Sequence, residues 1–209
     1  MRWLCLAAAL VALPASAHDG VVHQSEAEAQ AHRAETGAAV GKPTPALPFP
    51  VEIDAKFALL NQNGEAVTEK DFAGKPMAIF FGYANCEAIC SVALPRLGQA
   101  LDLLGSEADG LSPLVITVDP ARDTPETMGP ALAKWHPALR GLTGTEAALA
   151  EARRAFQVET SLVGEDPEGN PIYAHGSFIY LIGADGKVLT LLPPILGPER
   201  MAEILRSYL

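Results

Sequence analysis

The chain has 209 residues, 49% of them hydrophobic, and a formal net charge of −10. That length suits one domain with a sizeable buried core. The acidic balance argues against a nucleic-acid partner.

The first segment has a basic residue, Arg2, an apolar run from Trp3 to Leu13, and then Pro14-Ala15-Ser16-Ala17. A basic start, an apolar middle and a small-x-small end describe a secretory signal peptide. Residues 1–17 are therefore read as a signal removed after Ala17, which makes the mature protein periplasmic. The alternative is an uncleaved anchor, although the stretch is shorter than the about 20 residues that span a bilayer. Cleavage removes Cys5 and leaves Cys86 and Cys90.

Residues 18–50 are rich in Ala, Glu, His and Pro and are read as a tail and linker. Ser25 with Glu28 fits a capping box for a short helix, and Gly41 to Pro50 reads as extended. The ordinary reading of His18, His23 and His32 is a polar, solvated tail. A free amine and imidazole on His18 could also chelate Cu(II), with His23 or His32 nearby.

A compact domain is expected over residues 51–209. Asn63-Gly64 between apolar residues signals a hairpin. The unbroken apolar run Met77–Phe81 reads as a buried strand, and apolar residues at helical spacing follow from Cys86 to Leu104. "PLVITVD" is a second buried strand. Thr124 and Pro125 fit the cap and first position of a helix, with Pro130 as a kink or boundary. "TEAALAEARRAF" is a further helix. "SFIYLIGADGKVLTLL" reads as two strands around Ala184-Asp185-Gly186, and "PERMAEILRSYL" as a closing amphipathic helix. Strand, helix and strand in succession give a parallel pair. The whole order predicts a thioredoxin-like α/β fold: a mixed central sheet flanked by helices, with an N-terminal β-hairpin.

Cys86 falls at a strand-to-helix turn, with Cys90 about one helical turn on, so that both sulfurs can face one way. A lone cysteine pair in an exported protein is by default a disulfide. A link closing so short a loop constrains the unfolded chain little, which makes chemistry the better reason for the pair. A helix N-terminus favours thiolate. His175 stands just before a core strand, where a thioredoxin-like sheet would turn it toward the cysteines. Two thiolates and an imidazole suit Cu(I) or zinc rather than calcium or magnesium. The pair could equally be a thiol-disulfide exchanger, with Cys86 attacking and Cys90 resolving. His136 is read as a surface or capping residue. Asp123 is read as a carboxylate beside a helix N-terminus. Asp119 ends a parallel strand, the edge where sites form, and either faces the site or a partner or simply closes the strand.

"FFGYANCEAIC", "ITVDPARDTPE" and "YAHGSFIYLIGADGK", in that order, resemble the Sco/SenC family of copper-binding assembly factors. The resemblance implies copper, as Cu(I) or Cu(II), held by Cys86, Cys90 and His175. It implies assembly of the dinuclear copper site of cytochrome c oxidase, by copper delivery, by thiol reduction of the recipient, or by both. The implied partners are the copper-receiving oxidase subunit and another periplasmic copper chaperone or thiol reductant. Membrane contact would come only through a partner or an uncleaved signal. Glu87 and Ser91 follow the two cysteines where the family often has proline. Asn85 and Ala174 stand where histidine and aspartate are usual.

Overall fold

The computed structural model describes residues 53–84 and 90–209. The expected first hairpin forms from β1 (Ala58–Asn61) and β2 (Ala66–Thr68). Its loop is held by Asn61, whose backbone N–H donates to the Glu65 carbonyl at 2.9 Å and whose Oδ1 accepts from Asn63 and Glu65. Gly64 takes φ +78° there, a conformation that side chains other than glycine adopt rarely. A 3-10 turn, Glu69–Phe72, leads to β3 (Met77–Gly82), every residue of which is buried. Helix α1 (Cys90–Leu104) and a second 3-10 segment, Gly105–Gly110, follow, and the chain then returns through β4 (Ser112–Thr117).

Helix α2 (Pro125–Ala133) starts at Thr124, which forms a capping box with Thr127, and contains Pro130 without ending there. The sequence reading missed the next strand, β5 (Arg140–Thr143). Helix α3 (Glu146–Ala155) is capped by Thr145, whose side chain accepts from the Ala148 N–H. The sequence reading also missed a second hairpin, β6 (Thr160–Glu165) and β7 (Pro171–His175). Strands β8 (Ile179–Ile182) and β9 (Val188–Leu192) and helix α4 (Pro198–Arg206) complete the chain as expected.

The main sheet has seven strands in the order β2-β1-β5-β4-β3-β8-β9. Strands β3, β4 and β5 run parallel, while β8 is antiparallel to β3, β9 to β8, and β1 to β5. The first hairpin therefore extends the sheet at one edge. Helices α1 and α4 pack together, α2 packs on β5, and α3 packs near β1. The centre is filled by Ile79, Phe80, Phe81, Leu97, Leu114, Ile116, Leu132 and Phe156, each stabilising the fold by about 1.5–3 kcal/mol through burial. Among the described residues β6 and β7 pair with each other alone, as a separate two-stranded ribbon. No described helix is long and apolar enough to cross a membrane.

Candidate metal centre

The parallel register brings the carboxyl ends of β3, β4 and β5 to one edge of the sheet, together with the amino end of β8. β3 leaves the sheet through Tyr83 and Ala84. Cys86 lies outside the described residues, and Cys90 is the first residue of α1. The backbone of Cys90 thus stands at a helix N-terminus.

His175 reaches the same edge. It is the last residue of β7, because Thr160 pairs with it across the ribbon. Its ring meets Phe80 at 5.9 Å and Tyr83 at 6.0 Å between centroids, both edge-on. Nδ1 lies 2.9 Å from the Gly176 carbonyl oxygen. A carbonyl only accepts, so the neutral ring donates from Nδ1–H and Nε2 is its basic nitrogen. Metal-binding histidines are commonly oriented by such a bond.

Asp119 and Asp123 are both buried. Asp123 Oδ2 accepts from the Ala84 N–H at 2.9 Å and from the Thr117 hydroxyl at 2.8 Å. It ties the ends of β3 and β4 together two residues before Cys86. Burial pushes its carboxyl above the ordinary range; the bonds from Ala84 and Thr117 pull the other way, and the charge of Asp119 adds to the rise. The reading of Asp123 as a carboxylate beside a helix N-terminus therefore understated it: it is an internal acceptor. The Asp119 N–H donates to Thr117 Oγ1 at 2.9 Å, and Asp119 Oδ2 accepts from Arg122 Nε. Asp119 Oδ1 is buried with no hydrogen-bond partner among the described residues.

Sequence reasoning missed Arg122 and the ring pair Tyr83 and Tyr173, whose centroids are 6.4 Å apart. A tyrosine at the end of an apolar run and an arginine between two aspartates were the available signals. His136 is a packing and capping residue: Nδ1 accepts from the Ala138 N–H at 3.1 Å, and Nε2 lies 3.4 Å from Asp102 on α1. Residues 1–52, with His18, His23 and His32, lie outside the described residues. Among the described residues no group of three His, Cys, Asp or Glu side chains converges on a metal position.

The SCO1/SenC family model matches residues 46–209. The SCO2-like protein of Rickettsia conorii is 35% identical over 158 residues, covering 75% of this chain and 77% of its own. The structure of Bradyrhizobium japonicum ScoI with copper bound is 37% identical, with a TM-score of 0.69, over 75% of this chain and 99% of that one. Yeast Sco1 with copper bound is 32% identical, with a TM-score of 0.66, over 76% and 91% of the two chains. These likenesses bear out the thioredoxin-like fold, and both of those structures hold copper. With a family match over 46–209 and relatives above 30% identity across three-quarters of its length, the chain belongs to the SCO1/SenC family.

Proposed function

We propose that the protein is an exported, periplasmic copper carrier that holds copper through Cys86, Cys90 and His175 and serves assembly of the dinuclear copper site of cytochrome c oxidase. The observation that carries this reading is the placement of His175. Its ring meets Phe80 of β3 and Tyr83 just beyond that strand, on the segment that leads to Cys86 in sequence, with Nδ1 engaged by the Gly176 carbonyl. Two thiols and an imidazole are a soft and borderline donor set, which fits copper. Three protein donors leave the ion open to a partner's ligands, as a carrier requires.

Asp119 would stand beside this set, and its unpartnered buried Oδ1 supports a role toward the site. The cleaved signal of residues 1–17 and the tail of 18–50 belong to the same reading, with His18, His23 and His32 as an accessory Cu(II) chelate that raises local copper concentration. The copper ion is cargo, so no turnover is needed.

A second reading has a specific observation behind it: Cys90 opens a helix, where a thiolate is favoured. The pair could then reduce the cysteines of the copper-receiving subunit. His175 separates the two readings, because a reductase does not need it. Deleting the gene in its own host should lower copper in the dinuclear site of the oxidase, and the wild-type gene should restore it. His175→Ala should fail to restore it if the protein carries copper. Full restoration by His175→Ala would favour the reductase.

A further inference from the structure

His175 is carried by an element that the main sheet does not hold. Among the described residues β6 and β7 have no strand partner but each other, and a lone two-stranded ribbon is marginal in water. Five of the six residues of β6 are exposed, Leu162 at 62% and Val163 at 61% among them. The pairing slips between Leu162 and Gly164, which weakens the ribbon further. Something must fix it to the body if His175 is to keep one position.

Arg122 makes the polar attachment. Its Nε donates to the buried Asp119 Oδ2, and its Nη2 donates to the Pro171 carbonyl, the first residue of β7, at 2.8 Å. Nη1 lies 3.9 Å from Asp166 Oδ2. Asp166 itself closes the ribbon's turn, with Oδ1 accepting from the Asn170 N–H at 2.7 Å and Oδ2 from the Asn170 side chain at 2.8 Å. The guanidinium carbon stands 5.3 Å over the ring of Tyr83, which in turn meets both Tyr173 and His175 edge-on. The base of Arg122 is fixed as well, since its carbonyl accepts from the Thr127 hydroxyl in the α2 cap at 2.8 Å. One side chain therefore reaches the β4–α2 loop, the turn and first residue of the ribbon, and the aromatic ring that abuts the histidine.

We propose that Arg122 is a positioning residue for the proposed ligand His175: its guanidinium fork clamps the β6–β7 ribbon to the Asp119 loop and so holds His175 against Phe80 and Tyr83. The consequence for copper rests on the copper-carrier reading; the clamp itself does not. A lysine could hold Asp119 or the Pro171 carbonyl but has no planar fork to hold both.

The test uses the full mature chain. In the metal-free protein, Arg122→Gln should speed hydrogen exchange of the amides in 160–165 and 171–175 by about tenfold or more. Exchange in 77–82 and 112–117 should stay as in wild type, which also shows that the variant folds. Arg122→Lys should behave like Arg122→Gln. Asp119→Asn combined with Arg122→Gln leaves no buried charge alone and should loosen the ribbon equally. In an anaerobic Cu(I) competition, Arg122→Gln should weaken binding by about 10- to 100-fold, the usual effect of losing a group that orients a ligand. Adding it to His175→Ala should cost nothing further, because both act through the same ligand. Unchanged ribbon exchange, rescue by lysine, or a loss that multiplies with that of His175→Ala would each overturn the proposal. If His175→Ala leaves copper binding unchanged, the copper reading fails instead, and ribbon exchange still decides the clamp.

Discussion

Replacing Asp123 by alanine removes the acceptor that joins the ends of β3 and β4. Two donors lose their partner, the Ala84 N–H and the Thr117 hydroxyl, and both residues are buried. Each buried donor left without a partner costs about 1–3 kcal/mol. Part of this is recovered, because a carboxyl held above its ordinary pKa by burial is no longer desolvated. The expected net loss is about 2–4 kcal/mol, or roughly 6–12 °C in Tm near the middle of that range for a domain of this size. Asparagine keeps an acceptor for both donors and should lose little.

The pH dependence of Asp123→Asn has a definite sign. The folded-state pKa of Asp123 is raised above 3.8. The stability gained from the neutral carboxyl is full below 3.8 and is lost as pH rises through the raised value. The asparagine variant does not titrate. Its stability relative to wild type should therefore increase from acid up to the raised pKa and then level off. Urea denaturation of wild type, Asp123→Ala and Asp123→Asn across pH 3–7 reads all of this. An alanine variant within about 0.5 kcal/mol of wild type, in the range of an ordinary surface substitution, would refute the reasoning. So would an asparagine variant whose relative stability falls as pH rises.

Gly98→Ala on α1 would ordinarily stabilise a helix by about 1 kcal/mol. Here its Cβ would fall 2.5 Å from the Trp135 carbonyl oxygen, a backbone atom that cannot step aside cheaply. The variant should lose about 1–3 kcal/mol in urea denaturation, and a gain would show that the Trp135 segment moves freely. Oxidising Cys86 and Cys90 to a disulfide with diamide should abolish tight copper binding, and dithiothreitol should restore it, because a disulfide offers no thiolate to the metal. Copper binding that survives oxidation would point to ligands elsewhere.

The strands that build the core were legible because burial on both faces writes unbroken apolar runs: Met77–Phe81 and the run through Leu114–Ile116 could be little else. The two hairpins with Asn63-Gly64 and Asp185-Gly186 were equally plain, since both glycines take positive φ, +78° and +80°. β5 was not legible. Its four residues, Arg140–Thr143, become a strand only by pairing between β4 and β1. The β6–β7 ribbon was hidden for a different reason: it pairs outside the main sheet, with five of the six residues of β6 exposed and β7 mostly half-buried, so burial gives no alternation to read.

The candidate ligands were legible as chemistry, through two cysteines at a strand-to-helix turn and a histidine before a core strand. Their support was not. Asp123 looks like a helix-terminus carboxylate in one dimension and becomes an internal acceptor only when β3 and β4 lie side by side. Arg122 looks like one of several arginines near acidic residues. Its reach to Pro171 spans 49 residues of chain, which no local pattern encodes.

The central claim is that Cys86, Cys90 and His175 form one copper-holding set. Anaerobic competition of the reduced mature protein against a Cu(I) chromophoric chelator tests it most directly, with His175→Ala and Cys86→Ser run beside wild type. The account predicts one tight equivalent in wild type, binding weakened by His175→Ala, and binding abolished by Cys86→Ser. Absent binding in wild type, or an affinity indifferent to His175, would contradict it and leave thiol exchange as the function.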